Sequence, residues 1–260
     1  MLAGVADCAP IPGSAAILND RTIDYIVVGE FHGTNEAPGF FGDMVCLAAA
    51  RGPVMVALEI PVEDQGAVDA YLASNGDAAA REALLKANFW ASRDGRSSTA
   101  MLALIERLRS MSRGRQILGV AATQPRTGSA QGDETSYNRA MAAEWMGAMA
   151  GHPGARVLAL VGNAHAVPGK VQLGQGFDFL PAASFLPRKR TATLGNAEVG
   201  GAAWMCGRQA NCGRQSLGEG LRSWPRSVWR STEKGDPLYW DYLYAPGTPF
   251  TVAVPARPAQ

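Results

Sequence analysis

Four short apolar runs constrain this chain more than any other feature. They are Asp24-Tyr25-Ile26-Val27-Val28, Val54-Met55-Val56-Ala57-Leu58, Gln116-Ile117-Leu118-Gly119-Val120 and Arg156-Val157-Leu158-Ala159-Leu160-Val161. Runs of this length without polar alternation are strands covered on both faces. The stretches between them carry helical signals. One helix is expected to run to about Ala50, with Pro38 in its first turn. A second helical stretch runs from about Glu63 to Leu85, broken near Asn75-Gly76. Ser97 or Ser98 caps a third, in which Met101, Leu104, Ile105 and Leu108 fall on one face. A fourth lies near 135–150. Strand–helix alternation of this kind predicts an α/β fold: a mainly parallel sheet with helices on both faces, a three-layer sandwich.

Residues 1–22 are rich in Pro, Ala and Gly and are expected to be irregular. Past about 185 the runs shorten and alternate, and four of the six tryptophans fall there. This part, 186–260, is expected to extend the same sheet in antiparallel fashion, with one short helix. No linker composition divides the chain. The expectation is one domain over 1–260, with its core in 22–185.

Composition excludes some functions. Hydrophobic residues make up 47% and charged residues 18%, enough for a sizeable core. Twenty-four Lys+Arg against 23 Asp+Glu leave no electrostatic footprint for nucleic acid. No apolar run approaches the roughly 18 residues of a membrane span. The cysteines, Cys8, Cys46, Cys206 and Cys212, match no zinc spacing. Cys206 and Cys212 flank a turn-like insert that would bring them within disulfide range, which leaves Cys8 and Cys46 as a second bridge. Reduced, buried thiols are the alternative. Gly4-Val5-Ala6 looks like the tail of a signal peptide, so a periplasmic or secreted location is expected, and a cytoplasmic one otherwise. Oligomeric state is open.

In an open α/β sheet the ligand crevice lies beyond the carboxyl ends of the parallel strands. Ionisable residues gather at that station: Glu30 and His32 after the first strand, Glu59 after the second, and His165 after the fourth. Two of only three histidines share it. A carboxylate beside an imidazole fixes its tautomer and raises its basicity, which suits water activation. Glu30 and His32, two residues apart, project to the same side of an extended strand end. By ligand type the same four would chelate a divalent metal, and they would equally serve as a metal-free acid/base cluster. Glu36 sits where a helix begins, a place that favours an acid for structural reasons alone. Asp94 and Arg96 either pair with each other as a turn or bring Arg96, or Arg93, to an anion in the cleft. Trp90 is expected to be a packing residue and His152 to be solvated. No Gly-x-Ser-x-Gly elbow, phosphate-binding Gly-Lys loop or His-Glu-x-x-His helix is present.

Val27-Val28-Gly29-Glu30-Phe31-His32-Gly33-Thr34-Asn35-Glu36, Leu58-Glu59 and Val161-Gly162-Asn163-Ala164-His165 together resemble the erythromycin esterase/ChaN-like superfamily, which includes the TraB/Tiki proteins. The resemblance covers roughly residues 22–185. It implies an α/β sandwich with its cleft at the strand ends. Members similar to erythromycin esterase hydrolyse an ester with a histidine base and no required metal, and His32 matches that position, with Glu30, Glu59 and His165 around it. Tiki-like members are metal-dependent proteases, and ChaN-like members are haem-binding lipoproteins. Asp7 before Cys8 does not fit a lipidation site. The leading expectation is a hydrolase of an ester or amide bond in a small-molecule or peptide substrate. His32 would activate water, oriented by Glu30 or Glu59. His165 would polarise the substrate or take the leaving-group proton, and Arg96, with Glu36 and Asp94, would meet the substrate. No cofactor is required in that reading. The alternatives need a divalent metal on Glu30, His32, Glu59 and His165, or haem, for which Tyr25, Tyr71 and Tyr137 are the conceivable ligands.

Overall fold

The computed structural model describes residues 8–114, 116–126, 133–172, 178–206, 211–220, 223–232 and 239–257. Gly4-Val5-Ala6 lies outside them. Along the chain come α1 (Ala15–Leu18), β1 (Tyr25–Glu30), α2 (Glu36–Ala49), β2 (Val54–Pro61), α3 (Gln65–Ala73), α4 (Ala78–Leu85), α5 (Thr99–Ser112), β3 (Ile117–Gln124), α6 (Glu134–Gly151) and β4 (Arg156–Gly162). The rest holds β5 (Val171–Gln172), β6 (Asp178–Phe179), β7 (Thr191–Asn196), β8 (Gly200–Cys206), β9 (Cys212–Glu219), β10 (Ser227–Arg230) and β11 (Tyr242–Ala245). Three helices begin on a side chain that accepts a backbone N–H: Asp77 from Ala80, Ser98 from Met101 and Asp133 from Ser136. Each cap contributes about 1 kcal/mol.

Among the described residues seven strands form one sheet in the order β10-β11-β7-β1-β4-β2-β3, all pairs parallel except β10 with β11. Alternate residues feed opposite faces. Ile26, Val28, Val56, Leu58, Leu158 and Leu160 pack with Phe40, Phe41 and Met44 of α2 and Leu104, Ile105 and Leu108 of α5. Val27, Ala57, Val157, Ala159 and Val161 meet Met141, Ala142 and Trp145 of α6 on the other face. The expected three-layer α/β architecture is therefore present. Trp90 lies fully in the first of these cores, as a packing residue should.

Connection direction explains the layers. From β1 to β2 to β3 the chain moves one way across the sheet, and its helices cover one face. From β3 to β4 to β7 it moves back, so right-handed crossovers put α6 and the turn Ala182–Phe185 on the other face. The adjacent strands β1 and β4 thus lead off in opposite directions, and a crevice opens between their carboxyl ends.

The sheet is mixed and antiparallel at its end, as expected, and two details refine that picture. β7 joins β1 in parallel, β11 joins β7 in parallel, and only the edge strand β10 reverses. The strands β8 and β9 form a separate antiparallel hairpin. The third strand also runs four residues past Val120. The side-chain amide of Gln65 donates to the Val120 carbonyl (2.9 Å) and accepts from the Ala122 N–H (2.6 Å), standing in for a neighbour on this sheet edge.

Disulfides join Cys8 to Cys46 and Cys206 to Cys212. The first ties the N-terminal segment to α2, and the second links directly opposed residues of β8 and β9. Such bridges persist in oxidising compartments. No helix among the described residues is long and apolar enough to cross a membrane. The Cys8–Cys46 bridge spans a sequence separation of 38. A loop of that size constrains the unfolded chain by about 4 kcal/mol in the chain-entropy account. Replacing both cysteines by serine is expected to lower the urea midpoint at pH 7 accordingly, and an unchanged midpoint would refute that contribution.

Candidate active site

The site grows from the ends of β1, β2 and β4. Glu30 closes β1 on the same face as Ile26 and Val28, and burial leaves it 3% exposed. The strand ends at Glu30 and the chain turns at His32, whose Nδ1 comes back to 3.0 Å from Glu30 Oε1. Gly33 then turns at φ +72°, where a Cβ would lie 2.1 Å from the Trp204 carbonyl oxygen. Only glycine fits there. The Gly33 carbonyl accepts the N–H groups of Trp204 (2.9 Å) and Ala253 (2.8 Å), so β8 and the C-terminal segment brace this turn.

Glu59 lies two residues before the end of β2, where the pairing with β3 becomes irregular between Leu58 and Pro61. Its Oε2 accepts the Gly162 N–H at 3.0 Å and faces His32 Nε2 at 3.5 Å. Its Oε1 meets Arg96 Nη1 at 3.2 Å. Arg96 also holds Asp94 through Nε and Nη2. The expected turn pair of Asp94 and Arg96 forms, and the guanidinium also reaches Glu59 in the cluster. A Cβ on Gly162 would sit 2.9 Å from His32 Nε2 and 3.5 Å from His165 Cδ2, so the two imidazoles converge over this glycine.

His165 lies in the turn Asn163–Ala166 that follows β4. Its Nδ1 is 2.7 Å from Asn138 Oδ1, and its ring is 5.7 Å from that of Tyr137. Asn138 is fully buried. Its Oδ1 also accepts the Ala182 N–H (2.8 Å), and its Nδ2 donates to the Glu134 carbonyl (2.7 Å). Sequence reasoning missed Asn138. The available signal was a polar residue on the otherwise apolar stripe of Met141, Ala142 and Trp145.

The charges divide sharply. Burial pushes the Glu30 carboxyl up, against the pull of His32, and its Oε2 has no hydrogen-bond partner among the described residues. Burial alone would push Glu59 down in charge as well, but His32, His165, Arg96 and the Gly162 N–H outweigh it and hold the carboxyl below its usual range. Burial opposes the charging of His32, yet Glu59 and Glu30 win and draw its affinity for a proton up. For His165 burial dominates, and its proton affinity falls. Tyr137 holds its proton far into alkali, mainly through burial and then through Glu59.

Glu36 is not brought into this cluster. Its Oε1 and Oε2 accept the hydroxyl and the N–H of Thr251, at 2.5 and 2.8 Å, so it fastens the C-terminal segment to the start of α2. Arg93 is exposed, and its carbonyl takes the Trp204 indole N–H. His152 caps the end of α6. Tyr25 and Tyr71 are buried on opposite faces of the sheet, which leaves Tyr137 as the one haem-ligand candidate beside the histidines.

The four clustered residues do not fit a divalent metal as arranged. His32 Nδ1 is taken by Glu30 and its Nε2 faces Glu59 at 3.5 Å, His165 Nδ1 faces Asn138, and the Arg96 guanidinium lies on Glu59 where a cation would bind. Among the described residues no group of three or more His, Cys, Asp or Glu side chains has metal-holding geometry.

No protein-family model and no curated protein matches the sequence. Solved structures do. A succinoglycan biosynthesis protein superposes with a TM-score of 0.57 at 12% identity, over 79% of this chain and 73% of that one. A mutant of the erythromycin esterase EreC in its open conformation gives 0.51 at 9% identity, over 95% and 79%. The type III effector HopBA1 gives 0.50 at 16% identity, over 79% and 94%. At these identities the likeness is one of fold, and with erythromycin esterase the relationship is a distant, fold-level one.

Proposed function

We propose that this chain hydrolyses an ester or amide bond, with His165 as the base and His32 as the cationic partner of the developing oxyanion. The observation that carries this reading is that two histidines converge over Gly162 with unlike neighbours, His32 between two carboxylates and His165 against the neutral Asn138 oxygen, and that their proton affinities are drawn in opposite directions. Where neighbouring groups are driven apart in proton affinity, acid and base roles are divided between them. A base needs a neutral imidazole with a free lone pair, and burial keeps His165 neutral. His32 lies between two carboxylates and is poorly placed to accept a further proton. The roles expected from sequence are therefore exchanged. His165 takes a proton from water as the oxygen bonds to the carbonyl carbon, and it returns that proton to the leaving oxygen or nitrogen. The oxyanion faces His32, whose Nε2–H is only loosely held at 3.5 Å from Glu59, and Arg96. The resemblance of the strand-end motifs and the fold likeness to erythromycin esterase support the reaction class. The two disulfides support a periplasmic or secreted setting.

The pH profile tests the assignment. His165 must be neutral and sits below the ordinary imidazole value of about 6.5, so the rising limb should fall below it. His32 must be charged and sits above that value, so the falling limb should lie above it. On chromogenic esters and amides kcat/KM is expected to be bell-shaped around neutrality. A single limb rising through pH 7 would restore His32 as the base, and a protein inert toward every such bond would end the hydrolase reading.

A further inference from the structure

Resting on the hydrolase reading, we infer that Asn138 is a positioning residue that dictates which nitrogen of His165 is free to accept a proton. The argument uses groups whose roles cannot change. The Ala182 N–H can only donate, so the Asn138 atom 2.8 Å away is its oxygen. The Glu134 carbonyl can only accept, so the atom 2.7 Å from it is the amide nitrogen. Backbone at both ends fixes the amide. His165 Nδ1, at 2.7 Å from that oxygen, must then carry hydrogen, and the lone pair is left on Nε2.

The choice of amide over carboxylate matters equally. Charged and titratable groups reach His165 from every side: Glu59 from β2, His32 after β1, Arg96 from the loop before α5, and Glu134 with Tyr137 from α6. A carboxylate at 138 would add a negative charge in direct contact and favour the imidazolium. The neutral oxygen orients the ring and leaves it uncharged. The same amide ties α6 to the turns after β4 and β6, so the base is set by three elements rather than by its own loop.

With three histidines, ring 1H–15N correlation spectra resolve the question without a substrate, with signals assigned from His32→Gln and His152→Gln. At neutral pH His165 is expected as the Nδ1–H tautomer. Asn138→Asp is expected to raise its midpoint by about one unit, a tenfold change in proton affinity, and Asn138→Ala to shift it toward the Nε2–H form. An Nε2–H tautomer in the wild type, or an unmoved titration in a folded Asn138→Asp protein, would overturn the inference. The wild-type spectrum decides even where a variant fails to fold. The tautomer as expected in a protein without hydrolytic activity would count against the hydrolase reading and leave the role of Asn138 standing.

Discussion

Replacing His165 by glutamine is expected to lower kcat by about 10²–10⁴-fold, with KM and thermal stability nearly unchanged. That range is what a positioned general base contributes. Glutamine matches the size of the ring and can still hydrogen-bond to Asn138, but it cannot take a proton from water. The side chain sits partly exposed in a turn after β4 rather than in the core, so folding depends on it little. His152→Gln supplies the control, because His152 only finishes α6 through the Ala148 carbonyl. His32→Gln should also lose activity, and it should in addition lose stability, since it leaves Glu30 and Glu59 facing each other in a buried space. Steady-state kinetics on the best chromogenic substrate, with unfolding curves on the same samples, separate the two. Retention of activity within about threefold in His165→Gln would sink the base assignment.

The sequence exposes some of this and hides the rest for physical reasons. Doubly covered strands must be apolar on both faces, so Ile26-Val27-Val28 and Leu158-Ala159-Leu160 announce β1 and β4 locally. Glu30 and His32 are legible as ionisable residues just at and after the end of an apolar strand, although the turn at His32, rather than extended backbone, brings the two side chains together. Direction of pairing is different. β7 lies in parallel beside β1, and β11 in parallel beside β7, because of where long connections return, and nothing within Thr191–Asn196 or Tyr242–Ala245 records that. The end of β3 is set by Gln65, more than fifty residues away, and its own Ala121-Ala122-Thr123 carries no strong apolar signal. Glu36 lies outside the cluster for a reason of the same kind: it is held by Thr251, 215 residues distant. Asn138 is intermediate. Its polarity on a buried stripe is visible, but its meaning depends on His165 and Ala182 arriving at the same point. Local physics thus gives the donors, and tertiary contacts decide which proton each one holds.

Removing the Glu59 carboxylate should produce the largest combined loss, because one side chain links all three strand ends. Glu59→Ala takes away the partner of Arg96, the facing charge of His32 and the acceptor of the Gly162 N–H in one step. Breaking a buried pair costs about 3–5 kcal/mol when it strands a charge. The low end applies here, about 3 kcal/mol, since Asp94 still holds Arg96 and Glu30 still holds His32. The pH dependence has a definite sign. Glu59 is held below its usual carboxylate range in the fold, so its contribution is present above about pH 4.5 and is lost as pH falls through the lower folded value. Wild type and variant should therefore differ most at neutral pH and converge in acid, as urea unfolding across pH 3–7 would record. Glu59→Gln separates charge from shape, since its amide oxygen can still accept from Gly162 or Arg96. That variant should keep more stability than the alanine yet lose activity, and its alkaline limb should move down because His32 has lost its strongest opposing charge. A Glu59→Gln enzyme with wild-type rate and an unmoved alkaline limb would show that His32 owes its proton to Glu30 alone.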